Sequence, residues 1–287
     1  PMIRHLPMFL SGLTAGRSLP SVAPQPFRDI LPTIKQDVPN PKGKIAIFTG
    51  CLLDFVYVDI ATDVVKALNM AGYIVEMPLG QACCGAPATY MGDVENAKKA
   101  AEMNLNAMEA EKYDYIVSAC PTCTHALRDY VDFFKDDPEM LKKAEELRSK
   151  TFDFCKLVSM LGGLPDTGDG VPMKVTYHDS CHLNRYLGVT KEQRELLKAT
   201  KGVELIEMHD CDKCCGFGGS YSVKFPEMSA PILEEKINNI VASGADVVAV
   251  DCPGCLLQIR GGLDARGLNN IQVKHTAQIV VEKREKK

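Results

Sequence analysis

Ten of the twelve cysteines in this 287-residue chain form one five-cysteine pattern written twice. The first copy is Cys51, the pair Cys83-Cys84, then Cys120 and Cys123. The second is Cys181, the pair Cys214-Cys215, then Cys252 and Cys255. The gaps are 31 and 35 residues in the first copy and 32 and 36 in the second, so each cysteine recurs 130 to 132 positions later. Thiolate is the soft donor that zinc and iron–sulfur clusters select. A structural zinc takes four protein ligands, as does an ordinary cubane cluster, and each copy here offers five. Adjacent cysteines cannot easily aim both sulfurs at one metal atom, but they can serve neighbouring irons of a larger cluster. Two similar metal-binding units, of iron–sulfur type, are the simplest reading of the spacing.

The neighbours of these cysteines fit that chemistry. Pro121 and Pro253 suit the first turn of a helix, where no amide donor is lost. A helix N-terminus favours thiolate through its dipole and free N–H groups. Gly85 and Gly216, directly after the paired cysteines, are expected to let backbone come close to an inorganic core. A lone CxxC points to zinc or redox chemistry more often than to a cluster, and a lone Cys-Cys is usually a packed pair. Only the complete set, repeated at nearly equal gaps, is specific. Disulfides are the competing use of so many cysteines. A chain of this length, with no export signal in view and with CC and CxxC arrangements, favours ligation in a reducing compartment, hence a cytoplasmic protein. Cys155 lies in a helical stretch and reads as a small buried hydrophobe. Cys211, three before Cys214, reads as neutral, with a spare ligand or a redox-active thiol as the alternatives, because Cys181 already completes the second set.

Strands and helices must bring these sulfurs together. Apolar runs at 44–48, 73–77 and 113–117 read as strands, with helices at 54–71, from Asp93 to about 111, from Cys120 onward and near 138–160. A Gly/Pro/Asp linker follows at 162–170. The order then repeats, with strands at 174–177, 203–206 and 246–250 and helices near 191–200, 227–243 and from Cys252 onward. Strands that alternate with helices imply two α/β units with mainly parallel sheets, over 44–165 and 171–287. In such sheets the loops at the carboxyl ends of the strands gather along one edge, and every cysteine cluster falls in those loops.

Residues 1–43 differ, holding eight of the seventeen prolines. Proline removes backbone donors and fixes φ, so this stretch is expected to be extended, with at most one short helix. It reads either as a strap from an upstream domain of a longer polypeptide, anchored by Phe9, Leu10, Leu13 and Phe27, or as a disordered tail. A hydrophobic fraction of 46% supports a substantial core, and a net charge of −4 gives no whole-chain case for nucleic acid. No apolar run reaches the roughly 18 residues of a membrane span. No GxGxxG opens a βαβ unit, so no flavin or nicotinamide is expected in this chain. No serine sits in a nucleophile elbow, which leaves acyl transfer unsupported.

The residues Gly50-Cys51, Cys83-Cys84-Gly85 and Cys120-Pro-Thr-Cys123, with their second copy, resemble the duplicated CCG-domain family over about residues 44–285. The resemblance implies two pseudo-duplicated, Rossmann-like CCG units. One branch that looks relevant is the disulfide-cleaving component of heterodisulfide reductase, in which each full motif holds a noncubane [4Fe-4S] cluster and the paired clusters split a disulfide. The other is the iron–sulfur component of glycolate and lactate oxidation systems. His178-Asp-Ser-Cys181-His182, the run from Cys214 to Lys224, and Cys255-Leu-Leu-Gln-Ile-Arg260 look especially like this second branch, and the proline-rich opening resembles the linker after a two-cluster ferredoxin domain. The full set of ten cysteines resembles the first branch. By this resemblance Cys51, Cys83, Cys84, Cys120 and Cys123 would bind one noncubane [4Fe-4S] cluster, and Cys181, Cys214, Cys215, Cys252 and Cys255 a second.

Three functions follow. The first is electron transfer beside a flavoprotein 2-hydroxy-acid dehydrogenase and a ferredoxin-type iron–sulfur domain, with association at the inner face of a membrane through those partners. The second is reduction or formation of a disulfide in a thiol substrate. The third is a non-catalytic zinc scaffold. His178 and His182 flank Cys181 and read either as groups that tune the second cluster or shuttle protons, or as structural histidines. His275 reads as structural, and His125 is set aside because the second copy has no equivalent. Lys224 and Arg260, candidates for an anionic substrate, read better as solvated charge, and the charged run at 132–150 as an exposed helix face.

Overall fold

Short apolar runs become the centres of two parallel sheets in a computed structural model of the chain, which describes residues 2–3, 19–166, 168 and 170–285. The chain divides into two units, one comprising Ala23–Pro165 and the other the residues from Asp166 onward with those of Pro1–Val22.

In the first of these, β1 (Lys44–Ile47), β2 (Ile74–Glu76), β3 (Tyr115–Ser118) and β4 (Thr151–Asp153) form a sheet in the order 2-1-3-4. Every pairing is parallel. Ile45, Ile47, Ile116 and Val117 are wholly buried, as expected for strands covered by helices on both faces. The second unit repeats the plan with β5 (Met173–His178), β6 (Val203–Leu205), β7 (Val247–Val250) and β8 (Gln272–Lys274), in the order 6-5-7-8, again all parallel. Its core gathers Val175, Tyr177, Leu197, Val247, Ala249 and Ile279.

The α/β class and the parallel sheets match the sequence reading. Each sheet nonetheless has a fourth strand that the sequence did not reveal. The stretch expected as one helix over 138–160 is a helix over Pro138–Lys150, then β4, then a helix over Phe154–Met160. Asp153 ends β4 and caps that last helix, accepting from the amides of Cys155 and Lys156. The expected helix at 54–71 is also two, Gly50–Phe55 (α1) and Val58–Met70, so Cys51 stands on a helix of its own.

Of the proline-rich opening, Phe9, Leu10 and Leu13 lie outside the described residues. Phe27 is fully buried in a four-residue helix, Phe27–Ile30. The Arg28 guanidinium and backbone amide bind the wholly buried Asp54 carboxylate on α1. Residues Ala23 onward therefore belong to the body of the first unit. Met2–Ile3 and Leu19–Pro20 form a two-residue antiparallel ladder.

Phe154 is fully buried beneath β4. Replacing it with Ala should cost about 3–5 kcal/mol through lost burial and an unfilled cavity, read as an earlier guanidinium midpoint by circular dichroism.

Candidate metal centres

The cysteine-bearing turns sit where parallel strands end. In the first unit β1 runs into α1 with Cys51, the loop after β2 carries Cys83 and Cys84, and β3 leads into α3 (Pro121–Asp129) with Cys120 as its cap. The helix between the last two, α2 (Val94–Met108), starts at Asp93, whose carboxylate accepts from the Asn96 amide. In the second unit β5 leads to Cys181, the loop after β6 carries Cys214 and Cys215, and β7 leads through Cys252 into α5 (Pro253–Ala265), with α4 (Pro226–Ser243) between them. Pro121 and Pro253 take the first helical position, as expected.

The five sulfurs of each copy converge in one hydrogen-bonded chain. In the first unit Cys51 and Cys84 lie within hydrogen-bonding reach of Cys83, and Cys123 within reach of Cys84 and Cys120. In the second, Cys181 and Cys215 lie within hydrogen-bonding reach of Cys214, and Cys255 within reach of Cys215 and Cys252. The two chains match sulfur for sulfur. Cys51 and Cys83, like Cys214, are exposed, while Cys84, Cys120, Cys123, Cys215, Cys252 and Cys255 are buried. Five sulfurs, each interacting with its neighbours in the series and most of them shielded from water, form a soft donor set that fits a metal–sulfur group.

Proton sharing within each chain is uneven. The Cys51 and Cys84 thiols, with the Gly85 and Cys84 amides, hold Cys83 down at about 2, so it is a thiolate. Cys181 and Cys215, with the Gly216 amide at 3.3 Å, do the same for Cys214, also at about 2. The donors are pushed up: Cys51 and Cys181 first by those hydrogen bonds, then by burial. A metal that takes all five must therefore displace the remaining protons.

His178 reaches this set. One of its ring nitrogens lies within 4.8 Å of both Cys215 Sγ and Cys255 Sγ. The ring is buried, and neither nitrogen meets a partner at hydrogen-bond geometry, although the Cys211 backbone acts on it. Burial first, then the nearby Lys236 cation, pushes its pKa down to about 3, so the ring is neutral. An orphaned polar ring aimed at sulfur is what a further occupant of the site would satisfy. His182 touches the sulfur chain at Cys181. It is half-buried, stacks on Tyr186 at 5.1 Å, and has Nδ1 3.6 Å from Cys181 Sγ.

Other candidates have structural roles. His275 caps the helix over Thr276–Glu282 by accepting from the Ala277 amide. His125 pairs with Asp129 one turn on. Arg260 donates to the Val273 carbonyl and ties α5 to β8, and Lys224 is exposed. Cys155 is fully buried. Cys211 turns to Arg194 at 3.5 Å and to Asp179, and burial and that carboxylate raise its pKa. Gly85 and Gly216 act differently from expectation. Both have positive φ, and an added Cβ would crowd helix backbone, that of α2 at Ala97 O (3.2 Å) and that of α4 at Ser229 O (2.7 Å). They seat the cysteine loop on that helix. Gly50 is the glycine that faces sulfur, since a Cβ there would come within 3.1 Å of Cys123 Sγ.

The sequence reading missed the groups that hold the paired-cysteine loops. Asn104 on α2 accepts from the Ala82 amide and donates to the Cys83 carbonyl and to Tyr130 Oη, and Tyr130 in turn donates to the Cys84 carbonyl. In the second unit Lys236 on α4 donates to the Asp210 and Cys211 carbonyls at 2.6 and 3.3 Å. Arg194 grips Asp179 with two bonds and lies over the Tyr177 ring.

Fold and geometry together define a duplicated α/β protein that collects five cysteines at one edge of each sheet. The cysteine-rich CCG domain matches residues 45–128 and again 175–260, and the chain belongs to that family. Lactate utilization protein A of Shouchella clausii is 39% identical over 240 residues, covering 83% of this chain and 99% of that protein. The protein of the same name from Bacillus subtilis is 36% identical over 238 residues, 83% of this chain and 98% of its own. Among solved structures, a hypothetical protein from Helicobacter pylori is similar with a TM-score of 0.62 at 11% identity, over 91% of this chain. This chain spans about half (54%) of that structure, and the likeness is one of fold.

In metal-free protein, alkylation of Cys83 and Cys214 by iodoacetamide should depend least on pH. Their low pKa values keep both ionised, so their rates should stay flat from about pH 8 to pH 5, whereas an ordinary thiol of pKa about 8.5 slows tenfold per unit. Peptide mass spectrometry across that range checks this.

Proposed function

We propose that the chain is an iron–sulfur electron-transfer component of a 2-hydroxy-acid oxidation system, acting on lactate or glycolate through a partner. The observation that carries this reading is the five-sulfur chain, built in the same order in both units. Cys51, Cys83, Cys84, Cys120 and Cys123 would hold one [4Fe-4S] cluster, and Cys181, Cys214, Cys215, Cys252 and Cys255 the other. Five donors per site favour the noncubane form. When bound, such clusters supply one-electron exchange at potentials set by their surroundings.

The protein's own part is to hold, shield and expose. Cys84, Cys120, Cys123 and their counterparts lie against the core, away from water. Exposed Cys51, Cys83 and Cys214 mark the side open to a donor or acceptor. Oxidation of a 2-hydroxy acid to the 2-oxo acid releases two electrons and two protons. A flavoprotein partner would take the hydride and hand electrons on singly, and a ferredoxin-type domain would carry them further. The kinship with proteins named for lactate utilization supports this assignment.

Anaerobic preparation should give a brown protein with about eight irons and matching sulfide per chain, as two four-iron clusters require. Cys84→Ser and Cys215→Ser should each lose about half the iron and one of two paramagnetic signals. A colourless protein holding only zinc would overturn the proposal. A new signal on adding a thiol under oxidising conditions would move the function to disulfide chemistry at the same centres.

A further inference from the structure

The two cradles have the same sulfur skeleton in different surroundings, and the differences fall at corresponding positions. Offsets of 130 residues at the first cysteine pair Phe48 with His178. Both are wholly or almost wholly buried. The Phe48 ring lies on the same side as Cys123, since a Cβ added to Gly50 would sit 3.4 Å from the ring and 3.1 Å from Cys123 Sγ. The His178 ring borders Cys255, the counterpart of Cys123. A hydrocarbon edge in one unit is thus an unpartnered polar ring in the other.

The second difference follows from the glycines that seat each loop. Gly85 meets Ala97 and Gly216 meets Ser229, so the helices after the paired cysteines are related by 132 residues. Asn104 therefore corresponds to Lys236. Both hold the carbonyls of the loop that carries the paired cysteines. One is a neutral amide, wholly buried; the other is a lysine amine, 1% exposed, whose pKa burial lowers while Cys211, Cys215, Asp212 and Asp179 oppose that shift. The Lys236 charge acts on Cys215 and on His178.

Acidic groups also surround Lys236: Asp210 and Asp212 act on it, and Asp210 is itself paired with Lys213 and His209. Asp179 is bound by both arms of Arg194, which also binds Glu207. Asp251 accepts from Tyr177 Oη at 2.5 Å and lies 3.6 Å from His275. In the first unit the Thr49 and Ser118 hydroxyls are buried without partners, but these are dipoles and carry no charge. A buried cation and a ring N–H near sulfur stabilise added negative charge, and potentials of metal–sulfur groups rise with such contacts.

We propose that His178 and Lys236 make the second centre the more easily reduced of the two, so that electrons entering the protein settle there. The inference rests on both cradles holding iron–sulfur clusters, and it assigns them unequal roles. A one-electron donor, reduced flavin in the proposed system or dithionite in the test, gives one electron to each centre in turn. His178 and Lys236 act by positioning a dipole and a charge, and neither takes up that electron.

The test is a mediated dithionite titration of the anaerobically purified full chain, followed by EPR, after iron and sulfide analysis. Two steps are expected. The step at higher potential should survive Cys84→Ser and vanish in Cys215→Ser. His178→Phe and Lys236→Met, which keep bulk in place, should each lower that step. Together they should change the sharing of an electron between the centres at least tenfold, which for a one-electron couple is about 59 mV. Phe48→His should raise the other step. Iron-replete protein whose two centres titrate together, or whose higher step belongs to Cys84, overturns this inference alone. So do iron-replete variants that leave the step unmoved. A chain that binds no iron overturns the underlying assignment and this one with it.

Discussion

Parallel strand pairing is the constraint on which both centres depend. In the first unit β1 lies between β2 and β3, and all three run the same way. Their carboxyl ends share one edge, so residues 51, 83–84 and 120–123 meet there although more than thirty positions separate them. The Ile45 and Ile47 side chains that make β1 a central strand are wholly buried. A slip of one residue would turn them to the opposite face and displace Cys51 from its partners. Sulfur geometry is thus set by hydrophobic register.

The second unit reaches the same geometry with a different interior. Tyr177, Asp251, His275, Arg194 and Asp179 form polar contacts behind its cysteines, where Ile47 and Ala119 occupy the places corresponding to Tyr177 and Asp251. Duplication preserved the donor atoms and let their environment diverge. Buried ion pairs contribute little net stability relative to a packed apolar core, so a polar interior on this scale is better understood through the charge it places near sulfur.

Much of this was legible in the sequence. Cysteine spacing pointed to two equivalent sites, and apolar runs located three of the four strands of each sheet. The fourth strands, Thr151–Asp153 and Gln272–Lys274, were not legible because each holds a single apolar residue between polar ones and so shows no apolar run, and Asp153 also serves as a helix cap. Asn104 and Lys236 were missed for another reason. Each lies more than twenty residues from the loop it holds, and lysine is almost never fully buried unless its charge is met. Gly85 and Gly216 were correctly seen as special, but only coordinates show that the close approach is to a helix backbone. His178 was picked out by sequence proximity to Cys181; its nearer sulfurs, on Cys215 and Cys255, come from elsewhere in the chain.

The Arg28–Asp54 ion pair has a practical consequence for dissecting this protein. Asp54 sits on the same short helix as Cys51, and its carboxylate has no exposure to water. Trimming the polypeptide to begin at its first sheet residue would leave that anion buried and alone, with an empty socket where Phe27 had been. Loss of one partner from such a pair costs several kcal/mol, and the damage would be felt one turn from a candidate ligand. The minimal folding piece for the first half therefore begins near Ala23, some twenty residues ahead of the repeat that the cysteines delimit.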